Sequence, residues 1–282
     1  MVPGIRDERC NRSITLPQVE SQVAVRSVTR AIDILLVLQN GTANLGRIAE
    51  QAELSKPTAH RLLATLAYGK LVIQDPVSNE YMLGPGCIGI ADAVMRGLGG
   101  LGPTAAATLE QLSHDSRESS ALHVRTGVQR ICVGQSASPQ PVRYTARVGG
   151  ASPLHTGAMG KILLAFTDPA DLNDLLDRLP LPASTDMTIT ERSALEEALE
   201  QTRTDGYAFS RGEHAVGVAS ISVPILRNDG FALAALSILG PNERLSNSKM
   251  QELLPMLLTG SLDITNALAY NSSDNGAARA HI

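Results

Sequence analysis

Residues 43 to 68 read Ala-Asn-Leu-Gly-Arg-Ile-Ala-Glu-Gln-Ala-Glu-Leu-Ser-Lys-Pro-Thr-Ala-His-Arg-Leu-Leu-Ala-Thr-Leu-Ala-Tyr. Leu45, Ile48, Ala49 and Ala52 recur at i, i+3, i+4, i+7, one face of a helix. Ala59, Leu62, Leu63, Leu66 and Ala67 repeat that spacing in a second helix. Only Glu53 and Leu54 separate the two periods. Ser55 then supplies an N-cap, and Pro57 falls in the first turn, where its missing N–H costs nothing. Helices joined by so short a turn cross steeply, which predicts a helix-turn-helix.

At about 100° per residue, Arg61 and Thr65 lie opposite the apolar stripe of the second helix. Thr58 and His60 flank them, and Lys56 stands at the N-terminal end. Between Ser55 and Lys70 there are three bases and no acid. A DNA major groove admits one helix, and long donors near its N-terminus read the base edges. The competing reading is a helical hairpin with a solvated outer face. Upstream, Val28, Ala31, Ile32 and Leu35 predict a further helix capped by Ser27. Downstream, Leu71 to Gln74 and Glu80 to Leu83 predict two strands around a turn, a wing. The sum is a winged helix-turn-helix.

The chain resembles the IclR family of bacterial transcriptional regulators. The resemblance rests on residues 27–35, 54–66 and 81–84, then on 153–161, 205–208 and 234–241, in the family's order. Glu53 departs from it, standing where a turn glycine is usual. Pro57 replaces a common serine, and Glu80 and Met82 replace polar or basic wing residues. The resemblance implies that Arg30, Ser55, Lys56, Pro57, Thr58, His60, Arg61 and Thr65 face DNA. It also implies a linker helix that contributes to dimerisation and a GAF-like effector domain.

The length of 282 residues allows two domains, and a hydrophobic content of 43% suffices for their cores. Residues 1–85 carry nine bases and eight acids, against 15 and 20 in the remainder. Charge suited to phosphate is therefore local to the second helix. Cys10, Cys87 and Cys132 are odd in number and far apart, so neither a disulfide framework nor a zinc site is expected. The sequence shows no membrane span and no signal peptide, and a cytoplasmic location is expected. The expected organisation is α+β. A disordered arm covers 1–25, where Arg6, Arg9 and Arg12 are diluted by Asp7 and Glu8. The winged helix covers 26–85, a linker helix and hinge 86–102, an α/β effector domain 103–271, and a disordered tail 272–282.

Gly97 to Gly102 matches G-x-G-x-x-G, but a helix precedes it and Pro103 follows, so it reads as a hinge rather than a dinucleotide loop. In the second domain, strands are expected at 120–124, 130–133 and 142–146. Helices are expected at 104–114, 156–166, 168–179, 191–204 and 245–269. A hairpin of Val216–Leu226 and Phe231–Leu239 closes across Asn228-Asp229-Gly230. No catalytic set stands out. Lys161 fails P-loop spacing. His123, His155 and His214 have no metal-ligand spacing and read as structural. Glu213 and His214 are adjacent and are expected to point apart.

A small-molecule site is the sharper reading. Thr156 begins a helix whose next residues, Gly157 and Ala158, leave amides open to a carboxylate. Ser220 and Ser222 alternate along one strand and share a face; Ser237 lies on the next strand. Ser210 and Glu213, in the loop before the hairpin, are secondary candidates. The alternative is that the small residues allow helix packing and the serines satisfy local backbone. These residues predict an effector-controlled regulator that takes a small organic acid, needs no cofactor or metal, and represses or activates. It would act as a homodimer or a dimer of dimers on double-stranded operator DNA. An enzyme with a vestigial winged helix would instead show turnover by its second domain. A protein-interaction module would bind without an operator and without salt dependence.

Arg61→Ala should cost ~1–3 kcal/mol of operator affinity and relax base preference. A fluorescence titration across operator variants checks this, and unchanged affinity and specificity would mean the reading face is misassigned.

Overall fold

The computed structural model describes residues 24–98 and 100–278, with side chains through Ala269. Cys10, the three arginines of the N-terminal arm and the last residues of the tail lie outside that range. The chain forms two compact units that divide between Gly97 and Leu98.

The first unit contains α1 (Arg26–Leu38), α2 (Leu45–Gln51), α3 (Lys56–Tyr68), β1 (Val72–Gln74), β2 (Tyr81–Leu83) and α4 (Gly86–Gly97). Its core joins Ile34, Leu38, Ala43, Ile48, Leu63, Leu66, Val72 and Tyr81. The expected stripes of α2 and α3 are buried at Ile48, Ala49, Ala59, Leu63 and Leu66, but Ala67 is exposed. The stripe of α1 is rotated from expectation. Ile34 and Leu38 are buried, whereas Val28 and Ile32 are 55% and 41% exposed. Those four positions do share a face, but the face packed against the core is the neighbouring one that carries Ile34 and Leu38 at i and i+4. Nor does Ser27 cap α1: Val25 is the N-cap and makes no side-chain bond. Asn44 and Ser55 do cap α2 and α3, accepting from the amides of Arg47 and Thr58.

The wing pairs antiparallel, Val72 with Leu83 and Gln74 with Tyr81. Asp75 closes its turn, accepting from the amides of Val77 and Ser78 at 2.7 and 2.9 Å. Ala43 and Tyr81 exchange two backbone hydrogen bonds, tying the α1–α2 connection to the wing.

The second unit contains α5 (Leu101–Ser116), β3 (Ser119–Thr126), β4 (Gln129–Ser136), β5 (Ala151–Pro153), α6 (Gly157–Ala165), α7 (Pro169–Arg178), α8 (Arg192–Asp205), β6 (Ala208–Arg211), β7 (Val218–Leu226), β8 (Ala232–Pro241) and α9 (Asn247–Ala278). Its sheet runs β5-β4-β3-β8-β7-β6, every pair antiparallel. Leu122, Val124, Ile221, Val223, Leu236 and Ile238 face α5 and α9. Ala121, Ala208, Ala235 and Leu239 face α6, α7 and α8. This is the expected α+β layering.

Several elements differ from the sequence reading. Residues 142–146 form no strand. The carbonyls of Val142 and Tyr144 accept from Arg244 and Ser119 side chains instead of a neighbouring strand. The short β5 takes the edge beside β4. Ser210 sits in a strand, β6, opposite Ser220, rather than in a loop. Helix α5 begins at Leu101 inside the glycine run, after Gly100 at φ +76°. Helix α9 continues past residue 271 to Ala278, so residues 272–278, expected as disordered tail, are helical.

Glu53 occupies the α2–α3 turn at φ +52°, a left-handed conformation that costs a side-chain-bearing residue about 1–2 kcal/mol. Glu53→Gly should therefore stabilise the winged helix by up to about 1 kcal/mol, part of the relief being offset by unfolded-state entropy. Denaturant unfolding checks this. A destabilised variant would show that the Glu53 side chain, not the turn, governs.

Candidate functional site

The predicted reading face is presented by α3. Lys56, Pro57, His60, Arg61 and Thr65 are exposed, and Thr58 is half-buried. Ser55 and Thr58 join hydroxyl to hydroxyl at 2.9 Å, closing the helix start. Thr65 donates its hydroxyl to the carbonyl of Arg61 at 3.0 Å, which leaves its methyl the freer group. Arg30 is half-buried on α1.

In the second unit the expected residues gather on the α6 side of the sheet. All nine residues of α6 are buried, Lys161 among them. Ser222 and Ser237 are paired across β7 and β8, are fully buried, and bond to each other at 2.7 Å. Ser220 and Ser210 are also paired and buried. Ala158 is completely buried. Gly157 sits at φ +78°, where an added Cβ would lie 3.8 Å from His214 Cβ and 3.9 Å from Ser210 Oγ. The tight helix approach falls one turn later. A Cβ on Gly160 would lie 1.9 Å from the Leu154 carbonyl oxygen.

Glu213 and His214 do not point apart. They belong to the irregular turn after β6, and both reach the start of α6. The Glu213 Oε2 atom accepts from the Gly157 amide at 3.1 Å. Its Oε1 pairs with Lys161 Nζ at 2.7 Å. Lys161 also donates to the Phe209 carbonyl at 2.6 Å. His214 Nδ1 lies 3.2 Å from Thr156 Oγ1. The segment before α8 holds the turn from outside: Thr185 donates to the Gly212 carbonyl at 2.6 Å and Thr188 to the Glu213 carbonyl at 2.7 Å. A cleft of about 290 Å³ lined by Met187, Phe209, Ser210, Arg211, Glu213 and Asn247 adjoins this turn.

Sequence reasoning passed over Arg130. It lies on β4, 2% exposed, and its Nη1 donates to the Pro153 carbonyl and to Thr156 Oγ1. The available signal was its alternation with Cys132 in a strand whose inward side is buried. His155 donates through Nε2 to the Pro182 carbonyl at 3.1 Å, as a structural histidine would. His155 Nδ1 and His123 Nδ1 are both buried without a hydrogen-bond partner. Burial pulls the guanidinium of Arg130 down to about 10. Burial, then the charge of Arg130, hold His123 well below the usual imidazole range and bring His214 to about 3. Burial likewise lowers His155. All three are neutral at pH 7. Among the described residues no group of His, Cys, Asp and Glu is placed to hold a metal. No described helix is long and apolar enough to cross a membrane.

A winged helix-turn-helix with a basic reading helix, joined to an α+β unit holding a buried polar site, defines a DNA-binding regulator of transcription. Residues 27–76 match the model of the IclR helix-turn-helix domain, and residues 100–266 match that of the bacterial transcriptional regulator IclR C-terminal domain. The regulator BhcR of Paracoccus denitrificans is 30% identical over 251 residues, 89% of this chain and 90% of that protein. The crystal structure of an IclR regulator from Alicyclobacillus acidocaldarius superposes with a TM-score of 0.70 at 26% identity, covering 87% of this chain and 99% of that one. An IclR homologue from Microbacterium hydrocarbonoxydans shares the fold, with a TM-score of 0.70 at 24% identity over 86% of this chain and 99% of the other. The chain belongs to the IclR family of bacterial transcriptional regulators, which are not enzymes.

The three lowered imidazoles set a pH dependence. Well above pH 6.5, the ordinary imidazole value, neither folded nor unfolded chain protonates them. Below it the unfolded chain takes protons that the folded site refuses, so stability falls with pH. His214 alone contributes a slope approaching about 1.4 kcal/mol per pH unit, until its folded form protonates near pH 3. Denaturant unfolding between about pH 7 and 5 should show this loss, and His214→Gln should reduce it. Equal slopes would place His214 in contact with water.

Proposed function

We propose that this protein binds a pseudo-palindromic operator through α3 and that a small organic acid, bound in the second unit, controls that binding. The supporting observation is the seat of Glu213: a carboxylate rests on the Gly157 amide at the start of α6, beside a buried cation. The Gly157 amide is thereby taken by the protein's own carboxylate, and a buried site that holds one carboxylate beside the cations Lys161 and Arg130 is suited to a further acid. Thr156, Gly157, Ala158, Ser210, Glu213, Ser220, Ser222 and Ser237 would form or back the pocket. The serines would offer hydroxyls in an otherwise apolar wall. The homologue from Microbacterium hydrocarbonoxydans was crystallised with 4-hydroxybenzoate, which makes that acid a natural first probe.

On the DNA side, Lys56, His60 and Arg61 would enter the major groove, with Ser55, Pro57, Thr58, Thr65 and Arg30 around them. Two copies are needed to span two half-sites. Exposed Ile88, Ile90 and Val94 on α4 support a contact between copies, giving a homodimer or a dimer of dimers. This division of labour assigns 26–85 to DNA, 86–102 to the link and 103–271 to the effector, and the protein would work in the cytoplasm with its DNA. The effector must favour one arrangement of the protein over another, or binding could not change operator affinity.

Selection of bound fragments from genomic DNA should return a shared inverted repeat. Titration of that operator should shift when the right acid is added, and raised salt should weaken it steeply. An operator affinity indifferent to every acid metabolite tested would reject acid control while leaving DNA binding intact.

A further inference from the structure

The buried charges on the α6 side of the sheet do not balance. Lys161 and Arg130 are both buried cations, and Glu213 is the carboxylate placed between α6 and the turn after β6. Glu213 is committed to Lys161 and to the Gly157 amide. Arg130 has no such partner. Its contacts are neutral, the Pro153 carbonyl and the Thr156 hydroxyl. Its Nε is buried without a hydrogen-bond partner, and no salt bridge to it occurs among the described residues. His123 Nδ1 and His155 Nδ1, both near enough to feel the charge of Arg130, are buried and equally unpartnered. With the histidines neutral the site carries one net positive charge. A guanidinium taken out of water is strongly unfavourable unless an anion joins it.

We infer that Arg130, not the Gly157 amide, takes the effector's acid group, and that the effector is a monoanion. This rests on the effector-site reading above and assigns its polarity. One carboxylate on Arg130 brings the site to neutrality while Glu213 keeps its seat. The planar fork of arginine suits a carboxylate in two-point contact, with Nε as one of the free donors. A neutral His123 then presents its ring to an oxygen substituent of the ligand, donating to an oxo group or accepting from a hydroxyl. A dicarboxylate would bring a second negative charge towards Glu213 with no cation left to meet it.

The test uses the full chain, wild type, Arg130→Gln and Arg130→Lys. Arg130→Gln removes the charge but keeps a donor for the Pro153 carbonyl. Thermal unfolding and calorimetry are run with acetate, pyruvate, 4-hydroxybenzoate, malonate and succinate, and with chloride and phosphate at matched ionic strength. At least one monoacid should stabilise the wild type, the diacids and inorganic anions should not, and Arg130→Gln should weaken that acid about thirtyfold or more. Arg130→Lys should recover part of the loss. In the wild type, bound monoacid should raise the pH at which His123 and His214 titrate by NMR, because it cancels the charge of Arg130; this holds whether or not the variants fold. Unchanged acid binding in Arg130→Gln, unshifted imidazoles, or tighter binding of diacids or inorganic anions would overturn the assignment and leave an effector site elsewhere in the unit. A wild type indifferent to every acid would overturn this assignment and the acid reading together.

Discussion

Helix α6 has no wet side, and Lys161 stands in its middle. An ammonium placed there must find a counter-charge within reach, and Glu213 supplies it. That pair draws the turn after β6 against the helix start and sets Glu213 on the Gly157 amide. It brings His214 to Thr156, which in turn accepts from Arg130. The polar groups around the start of α6 thus form one connected network that includes this ion pair. Removing either member would leave the other charge buried, which is far costlier than losing a surface bridge.

The two units rely on different physics. The winged helix is held by a small apolar core and by caps, with its charged groups left in water on α3. The second unit puts charge inside and excludes water from it. A surface rich in free donors suits a polyanion met by diffusion, where salt tunes affinity. A dry interior suits a small ligand, whose charge then acts at low dielectric. One chain therefore carries two electrostatic regimes that ionic strength affects unequally.

The helix-turn-helix was legible because its information is local: two periods, a serine cap and a proline at the right position. The wing and the β7–β8 hairpin were legible for the same reason. Elements that depend on distant partners were not. Residues 142–146 look like a strand by composition, but Arg244 and Ser119 take their carbonyls. The face of α1 was misjudged because Ile34 and Leu38 compete with Val28 and Ile32 for burial, and only the packed neighbours decide. In the pocket, the small residues at 157 and 158 and the serine alternation could be read along the chain. The convergence of Glu213 and His214 could not, since adjacency in an irregular turn carries no period. Arg130 was invisible for a related reason: its significance lies in what it fails to meet.

Thr185 and Thr188 fasten the segment before α8 to the carbonyls of Gly212 and Glu213. Gly160 meanwhile seats α6 so closely on the Leu154 carbonyl that the helix has no room to slide. One wall of the site is therefore fixed and the other is tied by two hydroxyls. The two sides therefore differ in stiffness: parting the turn from the 185–188 segment breaks two hydroxyl hydrogen bonds, whereas shifting α6 drives backbone into backbone.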